Sequence, residues 1–448
     1  MNYIPQILFL ICLGIGIYLI SKRISRIKKN IQLGRPEDRS DQPAERLKTM
    51  LLIALGQKKM FDKPLIGFLH FILYASFVII NIEVLEIILD GLTGSHRLFS
   101  SLAGGLYPVL INSFEILALC VIVACVVFLC RRNLVKVRRF QREAHREMTE
   151  WPRTDANLIL VWEILLMTAF LTMNAADAVL QDRGEVHYVE ANTGAFIISQ
   201  FLMPVLQNWG TSAVIFLERF AWWFHILGIL GFALYITYSK HLHIFLAFPN
   251  AYFSRLQPKG ELQNMPEVTK EVQLMLGITP TDGATTEETP TAPGRFGAKD
   301  VKDLSWKNLM DAYSCTECGR CTAACPANIT GKKLSPRKIM MDTRDRLQEV
   351  GANIDKNGVD YEDGKSLFGD YITSEEIMAC TTCQACVQEC PVNIDPLSII
   401  VQLRRYQIME EAKAPGSWNV MFANVENNMA PWKFSPADRF NWADKLKQ

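Results

Sequence analysis

Long apolar runs occupy the first 250 residues of this 448-residue chain, and the remainder has the pattern of a soluble domain. Five runs are long enough to cross a bilayer as helices, which takes about 17–25 residues. They cover Ile4–Ile20, Leu65–Leu89, Tyr107–Cys130, Leu158–Leu180 and Ala213–Tyr238. The first run has no basic segment before it and no small-residue cleavage site after it, so we interpret it as an uncleaved anchor. The pattern therefore predicts a five-helix bundle embedded in a lipid bilayer.

Basic residues in the connecting loops indicate how the bundle is oriented. Residues 21–63 hold twelve Lys and Arg residues and residues 131–156 hold eight, whereas residues 90–106 and 181–211 hold one each. Positively charged loops stay in the cytoplasm. We therefore expect the N-terminus outside, all residues after Tyr238 in the cytoplasm, and the protein in a bacterial inner membrane. The loop from 181 to 210 contains an apolar stretch too short to span, which we expect in the outer interface or against the bundle.

The second half of the chain predicts a helical domain behind a linker. Residues 279–294 are polar and rich in Pro and Thr, which is typical of a flexible linker. Helical spacing follows, with few strand signals. The net charge of +1 gives no reason to expect a nucleic-acid partner. The predicted fold class is mainly α, with a transmembrane domain at 1–250, a linker at 251–300, and a cytoplasmic domain at 301–448 whose helices lie near 306–313, 336–350, 374–379 and 396–413.

Eight of the twelve cysteines fall in two runs with one spacing, C-x2-C-x2-C-x3-C-P. The first run holds Cys315, Cys318, Cys321 and Cys325, and the second holds Cys380, Cys383, Cys386 and Cys390. In bacterial ferredoxins with this spacing, three cysteines hold one [4Fe–4S] cluster and the fourth holds the other cluster. The spacing thus predicts one cluster on Cys315, Cys318, Cys321 and Cys390, and a second on Cys380, Cys383, Cys386 and Cys325.

Structural zinc and disulfides are the alternatives for these eight cysteines. Zinc sites use two pairs of ligands and do not require a fourth cysteine followed by proline, twice. Disulfides are rare in the cytoplasm. The spacing therefore favours iron–sulfur clusters. The other four cysteines, Cys12, Cys120, Cys125 and Cys130, lie in apolar segments and are interpreted as small buried hydrophobic residues.

Three of the seven histidines stand in or beside predicted membrane helices, namely His70, His225 and His243. His225 and His243 are 18 residues apart, which on one continuous helix is five turns and places both on one face. His70 and His243 are both expected near the cytoplasmic end of the bundle, on antiparallel helices. Two such imidazoles are the usual axial ligands of haem b. The alternative is that each histidine makes a structural hydrogen bond between helices.

The remaining histidines and charged groups divide into weaker candidates. His241 is a second choice for the ligand next to the cysteine domain, and His225 would hold a second haem only with a partner that Ile80, ten residues beyond His70, does not supply. His96, His145 and His187 are interpreted as solvated. Seven charged residues in the bundle are either solvated or paired charges or part of a quinone or proton pathway: Glu83, Glu86, Glu115, Glu163, Asp177, Glu218 and Arg219. For Arg320 the alternatives are that it tunes a cluster, docks a partner or is simply exposed.

These features resemble two known families. The five-helix layout, the histidine separation and the sequence Ser-Lys-His-Leu-His-Ile at 239–244 resemble the nitrate reductase gamma subunit, in which a histidine stands at the position of Ile80. The join to a helical double-cubane domain resembles heterodisulfide-reductase-like proteins and electron-transfer-flavoprotein:menaquinone oxidoreductases. The resemblance covers residues 60–410. Relatives often continue into cysteine-rich CCG domains, and residues 391–448 contain no such motif.

The resemblance implies the membrane subunit of a quinone-linked oxidoreductase. Electrons would pass between a cytoplasmic donor and menaquinone through two [4Fe–4S] clusters and haem b. Because no dinucleotide or flavin motif is present, we expect a heterodisulfide-reductase-B-like partner subunit supplied by electron-transfer flavoprotein. The aromatic tail, Trp418, Phe422, Trp432, Phe434 and Trp442, would either dock this partner or cap the helical domain. The alternative function is a non-enzymatic membrane ferredoxin for electron transfer or cytochrome-oxidase assembly.

Overall fold

The computed structural model of the chain describes residues 3–191, 193–278, 295–444 and 446. Within these ranges the secondary structure is helical and contains no strand, which confirms the predicted fold class. The first half contains α1 (Ile4–Ile31), α2 (Pro43–Met50), α3 (Pro64–Thr93), α4 (Leu98–Ala103), α5 (Tyr107–Asn133), α6 (Glu150–Asp182), α7 (Val186–Val189), α8 (Met203–Leu206), α9 (Thr211–Ile236) and α10 (His243–Tyr252).

Shorter helices dominate the second half. They are α11 (Pro266–Met275), α12 (Trp306–Ser314), α13 (Arg320–Ala323), α14 (Pro326–Ile329), α15 (Pro336–Asn357), α16 (Ser374–Met378), α17 (Ala385–Glu389), α18 (Pro396–Arg405), α19 (Gly416–Asn428) and α20 (Asn441–Asp444). The four helical segments expected after residue 300 correspond to α12, α15, α16 and α18. The predicted linker 251–300 contains α11, and its polar part, 279–294, lies outside the described residues.

Five helical segments are long and apolar enough to cross a membrane, and they overlap the five predicted spans. They are α1, α3, α4 with α5, α6 and α9. The central helix is α6, which packs along both α5 and α9. Its stretch 173–180 is buried throughout and includes the small residues Ala175 and Ala176, which allow its neighbours to approach closely. The peripheral helix is α1, most of whose apolar surface is exposed to the surrounding lipid phase.

A glycine on α3 sets how closely α1 can pack. The Phe9 ring of α1 is completely buried and lies 5.6 Å from the Trp222 ring of α9. A Cβ atom at Gly91 would lie 2.7 Å from the Phe9 ring. Since such a distance is too short for two carbon atoms, only glycine permits this packing.

The helical domain after residue 295 rests on the end of the bundle that carries the basic loops. Helix α1 continues past the apolar zone, and its Asn30 side chain donates to the Tyr313 hydroxyl at 2.8 Å. Arg46, which is 1% exposed, donates to the carbonyls of Tyr252 and Ser254. These contacts join the two halves of the chain through groups that are separated by more than 200 residues in sequence.

The loop between α5 and α6 forms part of this junction. Arg337 is completely buried, and its guanidinium binds the Glu147 carboxylate at 2.9 Å and donates to the Arg139 carbonyl at 2.7 Å. His145 in the same loop is only 9% exposed, so its interpretation as a solvated histidine is wrong. The basic loop folds under the second domain because Glu147 and Arg337 neutralise each other there.

Two further expectations are corrected at the bundle ends. Helix α9 ends at Ile236 instead of continuing to His243, because Ser239 adopts an extended backbone and its hydroxyl accepts the His241 N–H and donates to the Asp155 carboxylate. The loop 181–210 packs back on α6, as one of the two alternatives predicted. His96 is held there against Asp177 at 3.3 Å and is therefore not solvated.

The Gly91→Ala substitution tests the packing of α1 against α3. We expect it to destabilise the purified protein by about 1–3 kcal/mol, because the added methyl group overpacks the contact with Phe9. The measurement is the thermal unfolding midpoint in detergent. Gly231→Ala in α9 is the matched control, since a Cβ there meets no atom within 4 Å. Equal midpoints for Gly91→Ala and the wild type would contradict this packing.

Candidate electron-transfer site

The two cysteine runs adopt the same backbone turn. Glu317 and Thr382 occupy equivalent positions and have φ values of 54° and 56°. Gly319 and Gln384 are also equivalent and have φ values of 70° and 59°. Left-handed residues at two matched positions curl each run so that its first three cysteines face one point. The third cysteine of each run lies on a short helix, α13 or α17.

The fourth cysteine of the second run joins the first group. Burial raises the pKa of the Cys321 thiol well above its usual value, and the nearby Cys318, Cys315, Cys390 and Cys386 thiolates raise it further. Burial and then Cys318 raise the pKa of Cys390 to about 12. Cys390 is therefore close to cysteines of the first run, and its ligation of the first cluster stays a prediction.

The second group has the reciprocal composition. Burial raises the pKa of the Cys380 thiol, and Cys325 and Cys383 add to this effect. The pKa of Cys386 is raised by burial and by Asp395, Cys380 and Cys325. Cys325 of the first run therefore stands with the second run. Raised thiol pKa values mean that binding of iron would displace protons from these sulfurs.

The spacing of the sulfurs does not favour zinc. Within the described ranges, no three His, Cys, Asp or Glu side chains stand close enough together to hold one metal ion. A tetrahedral zinc ion needs four ligands at about 2.0–2.3 Å from a single point. A cubane accepts wider spacing because each thiolate binds a different iron. Backbone donors also reach the sulfurs: Thr382 N–H donates to Cys380 Sγ at 3.4 Å and Ile394 N–H to Cys390 Sγ at 3.3 Å.

The bundle end beneath the cysteine groups brings together His70 and His243. Their ring centroids are 6.5 Å apart and their planes are inclined by 36°. An iron atom bound at about 2 Å by one nitrogen of each ring would place the centroids about 6 Å apart. The observed distance therefore fits a metal held between the two rings. The donor set of two imidazoles is also the one that binds haem iron.

Each of these rings has one nitrogen fixed by a hydrogen bond. His243 Nδ1 donates to the Lys240 carbonyl at 2.9 Å, and His70 Nδ1 lies 3.0 Å from Gln57 Oε1. Because Nδ1 carries the proton in both rings, Nε2 keeps its lone pair. Acceptors of this kind fix the tautomer and orientation of metal-binding histidines.

The two segments that contain Gln57 and Lys240 also bind the cysteine loops. Lys240 Nζ donates to Glu317, between Cys315 and Cys318, at 2.7 Å. Lys59 Nζ donates to the Cys390 carbonyl at 3.1 Å. Each histidine is thus separated from the first cysteine group by one short hydrogen-bonded segment.

Charges around the first group are strongly biased towards the positive. Arg320 is 5% exposed and donates to the Lys59 carbonyl at 2.8 Å, so the alternative of an exposed arginine is wrong. Burial lowers the pKa of Arg139 and Lys63, and neighbouring guanidinium groups lower both further. Burial raises the pKa of Glu317, but Lys240 and Arg344 outweigh it and lower that pKa to about 2. Glu317 compensates part of this positive charge, and the positive charge that remains suits a bound anionic cluster.

The other two candidate histidines are placed differently. His225 is 1% exposed, donates from Nδ1 to the Leu166 carbonyl at 2.9 Å, and lies 6.0 Å from the Phe170 ring. The His241 ring lies 5.5 Å from His243 and 5.6 Å from Phe232. Neither ring faces a second histidine across a gap as His70 faces His243.

Sequence reasoning missed the groups that orient these ligands. Gln57 and Lys59 carry no motif, and Lys240 was noted only as part of the Ser-Lys-His-Leu-His-Ile sequence. The contacts of Lys59 and Lys240 with the cysteine loops cross the domain junction and cannot be seen in the sequence. The high density of basic residues before α3 was the available signal, and it was interpreted only as a mark of orientation. The acidic groups at the other end of the bundle are likewise buried and not solvated, and all of them except Glu83 accept hydrogen bonds.

Residues 314–394 match the 4Fe-4S dicluster domain family. The cysteine groups are therefore those of an iron–sulfur dicluster domain, and the membrane helices carry it. The chain is 28% identical to the probable iron-sulfur-binding oxidoreductase FadF of Bacillus subtilis, over 98% of this chain and 61% of that protein. It is 26% identical to the EtfAB:quinone oxidoreductase of Syntrophomonas wolfei, over 91% of this chain and 55% of that protein.

A shorter similarity links the chain to a probable membrane-anchored ferredoxin of Chromohalobacter salexigens, at 32% identity over 35% of this chain and 25% of that protein. Heterodisulfide reductase subunits also match, over about a quarter of the chain. The chain spans little more than half the length of its two long relatives. No solved structure matches it. These comparisons confirm the predicted resemblance and support electron transfer through iron–sulfur clusters in a membrane protein.

Cluster analysis tests the reciprocal cysteine groups. We expect about eight iron and eight sulfide per chain, four of each for every cubane. The Cys390→Ala variant should lose the cluster of Cys315, Cys318 and Cys321 and retain the other, as followed by electron paramagnetic resonance. Cys130 of α5 is exposed, so its interpretation as a buried residue is wrong, and Cys130→Ala is the control that should retain both clusters. Selective loss of the cluster of Cys380 in Cys390→Ala would refute the cross-ligation.

Proposed function

We propose that this chain is the membrane subunit of a quinone-linked oxidoreductase. It conducts electrons between a cytoplasmic donor and menaquinone through two [4Fe–4S] clusters and haem b. The observation that carries this proposal is the facing pair His70 and His243, each tied by a neighbouring segment to the first cysteine group. A ferredoxin domain that was merely attached to the membrane by an anchor would not need two facing histidines at the end of the bundle.

Iron–sulfur clusters and haem b supply one-electron transfer when bound. The chain's own residues set the conditions for it. Cys315, Cys318, Cys321 and Cys390 would hold the cluster nearer the membrane, and the other four cysteines would hold the outer one. His70 and His243 would bind haem iron through Nε2, while Gln57 and the Lys240 carbonyl keep the rings in place. Buried basic groups around the first cysteine group favour a reduced, more negative cluster.

The orientation follows from the loop charges together with the junction. The basic loops 21–63 and 131–156 lie on the side of the bundle that carries the dicluster domain. We place this side in the cytoplasm of a bacterial inner membrane, in line with the positive-inside rule. Electrons then enter from a soluble donor and reach a quinone dissolved in the bilayer.

The partner is proposed to bind the aromatic tail. Helix α19 has no buried residue, and Trp418, Phe422 and Val425 lie on one face at the spacing i, i+4 and i+7. Such a stripe fits a groove on another protein. We propose a heterodisulfide-reductase-B-like partner, with electron-transfer flavoprotein as its donor, because the EtfAB:quinone oxidoreductase and heterodisulfide reductase subunits are among the relatives.

A membrane ferredoxin without quinone activity is the second candidate function. The similarity to a probable membrane-anchored ferredoxin favours it, although that similarity covers only 35% of the chain. In this function the clusters would deliver electrons to another protein and His70 and His243 would need no haem. A haem spectrum of the purified protein separates the two functions.

The histidine pair provides that test. We expect the reduced α-band of a low-spin haem b in the wild type and its loss in His70→Ala and in His243→Ala, because each change removes one axial ligand. Iron–sulfur signals should persist in both variants. His187→Ala, at the other end of the bundle, is the control. Survival of the band in both axial variants would remove this pair from the proposal, and pyridine haemochrome counting would show whether His225 holds a second haem.

Reconstitution tests the partner surface. We expect residues 1–448, supplied with reduced electron-transfer flavoprotein and a menaquinone analogue, to reduce quinone slowly until the partner is added. Phe422→Asp should weaken that stimulation at least tenfold, because the charge interrupts the apolar stripe. Tyr361→Asp, at an exposed aromatic residue elsewhere on the domain, is the control. Full quinone reduction without a second polypeptide would contradict the need for this partner.

A further inference from the structure

A polar cavity lies inside the bundle at the end far from the cysteine groups. It is enclosed by α3, α6, α9 and the segment 94–97. Glu83 lies about 20 Å from His70 along α3, at a rise of 1.5 Å per residue. The cavity is therefore separate from the proposed haem site. Its polar lining consists of Glu83, Glu86, Asp90, His96, Arg97 and Glu218.

Most carboxylates of this cavity have hydrogen-bond donors. Glu86 accepts from the Phe99 N–H at 2.8 Å and from the Tyr107 hydroxyl at 2.9 Å. Asp90 accepts from two backbone N–H groups of the loop after α3. Glu218 accepts from a tyrosine hydroxyl and from the guanidinium next to it in sequence. These groups are structurally satisfied as ionised acids.

Glu83 differs from all of them. Its side chain is 2% exposed, and both of its carboxyl oxygens are buried without a hydrogen-bond partner, which is true of no other acidic side chain in the described ranges. The nearest cation, Arg97, is already bound to the Asp177 carboxylate at 2.5 Å. A buried carboxylate without a donor is costly, whereas the protonated acid is neutral and can bind water. Glu83 is therefore the position in the cavity where a proton is held.

A route leads from this cavity to the surface of the bundle. His96 lines the cavity and lies 3.3 Å from Asp177. Its ring is 5.2 Å from that of His187, which is exposed. Imidazoles carry protons near neutral pH. A polar cavity with donors and acceptors on several sides also has room for water that would connect them.

We infer that Glu83 is a proton-exchange site that opens through this cavity, past His96 and His187, to the face opposite the dicluster domain. The Glu83 O–H bond releases H⁺ to water or imidazole and forms again, without a change of oxidation state. The use of this proton in quinone chemistry rests on the proposed function, but the exchange itself does not. The polar and charged groups around the site, of which Glu115 lies outside the cavity lining, are Glu86 and Asp90 on α3, Tyr107 and Glu115 on α5, Asn174 and Asp177 on α6, His187 and Tyr188 on α7, Glu218 and Arg219 on α9, and His96 and Arg97 in the segment 94–97.

Infrared difference spectroscopy of the purified full chain tests this site. The wild type should show the C=O stretch of a protonated carboxylic acid that shifts when H₂O is replaced by D₂O. Glu83→Gln should lose this band. The matched control is Glu115→Gln, which removes a buried carboxylate that accepts from Asn174 and from backbone N–H groups and does not line the cavity. The control should keep the band.

Two further measurements define the result. His96→Phe should slow the deuterium shift of the band at least tenfold, because it blocks the route outwards. Circular dichroism and iron content confirm that each variant is folded. Persistence of the band in folded Glu83→Gln, or a band that does not respond to D₂O, would overturn the inference. A wild type that exchanges this proton but reduces no quinone even with its partner and reduced electron-transfer flavoprotein added would refute the proposed function and leave the proton site intact.

Discussion

Two hydrogen bonds at the end of the membrane bundle fix the orientation of the histidine rings on which the proposed electron path depends. His243 donates to the Lys240 carbonyl and His70 to the Gln57 side chain, and both acceptors belong to segments that also contact the cysteine loops. A histidine in an apolar helix has few partners, so it turns freely unless one nitrogen is fixed. Here the fixing groups, Gln57 and the Lys240 carbonyl, belong to the membrane half of the chain and lie in the segments that bind the cysteine loops. The orientation of the two rings is therefore coupled to the docking of the soluble domain through these segments.

The junction also resolves an electrostatic conflict. Lys59, Arg139 and Arg320 are crowded together at the junction, where Arg320 is buried and the other two are half-buried. Asp62 and Glu389 supply some negative charge beside Lys59, and cysteine thiolates with bound iron and sulfide would supply more. The basic loops from which the orientation of the bundle is predicted are thus also the loops that lie beside the cysteine groups. At the other end of the bundle the bias is reversed, because buried acids outnumber their cations.

Local pattern was sufficient for the helices and for the cysteine groups. Membrane spans depend on the composition of about twenty consecutive residues, and cubane ligands recur at fixed spacing, so both are visible in sequence. The end of α9 was not predictable, because it depends on Ser239 meeting Asp155 of another helix. The burial of His145 and Arg320 was missed for the same reason: their surroundings come from distant parts of the chain. Glu83 is visible in the sequence as a charged residue in an apolar helix. Only the packing of the neighbouring helices shows that no hydrogen-bond donor reaches its carboxyl group.

The two cysteine groups are not equally protected. Arg337, packed against Gly319, holds the first loop against the bundle, whereas Cys383 of the second loop is exposed. Molecular oxygen reaches an exposed cubane far more easily than one enclosed by protein. We therefore expect air to destroy the outer cluster first, so that a preparation made without strict anaerobiosis would retain only the membrane-proximal cluster.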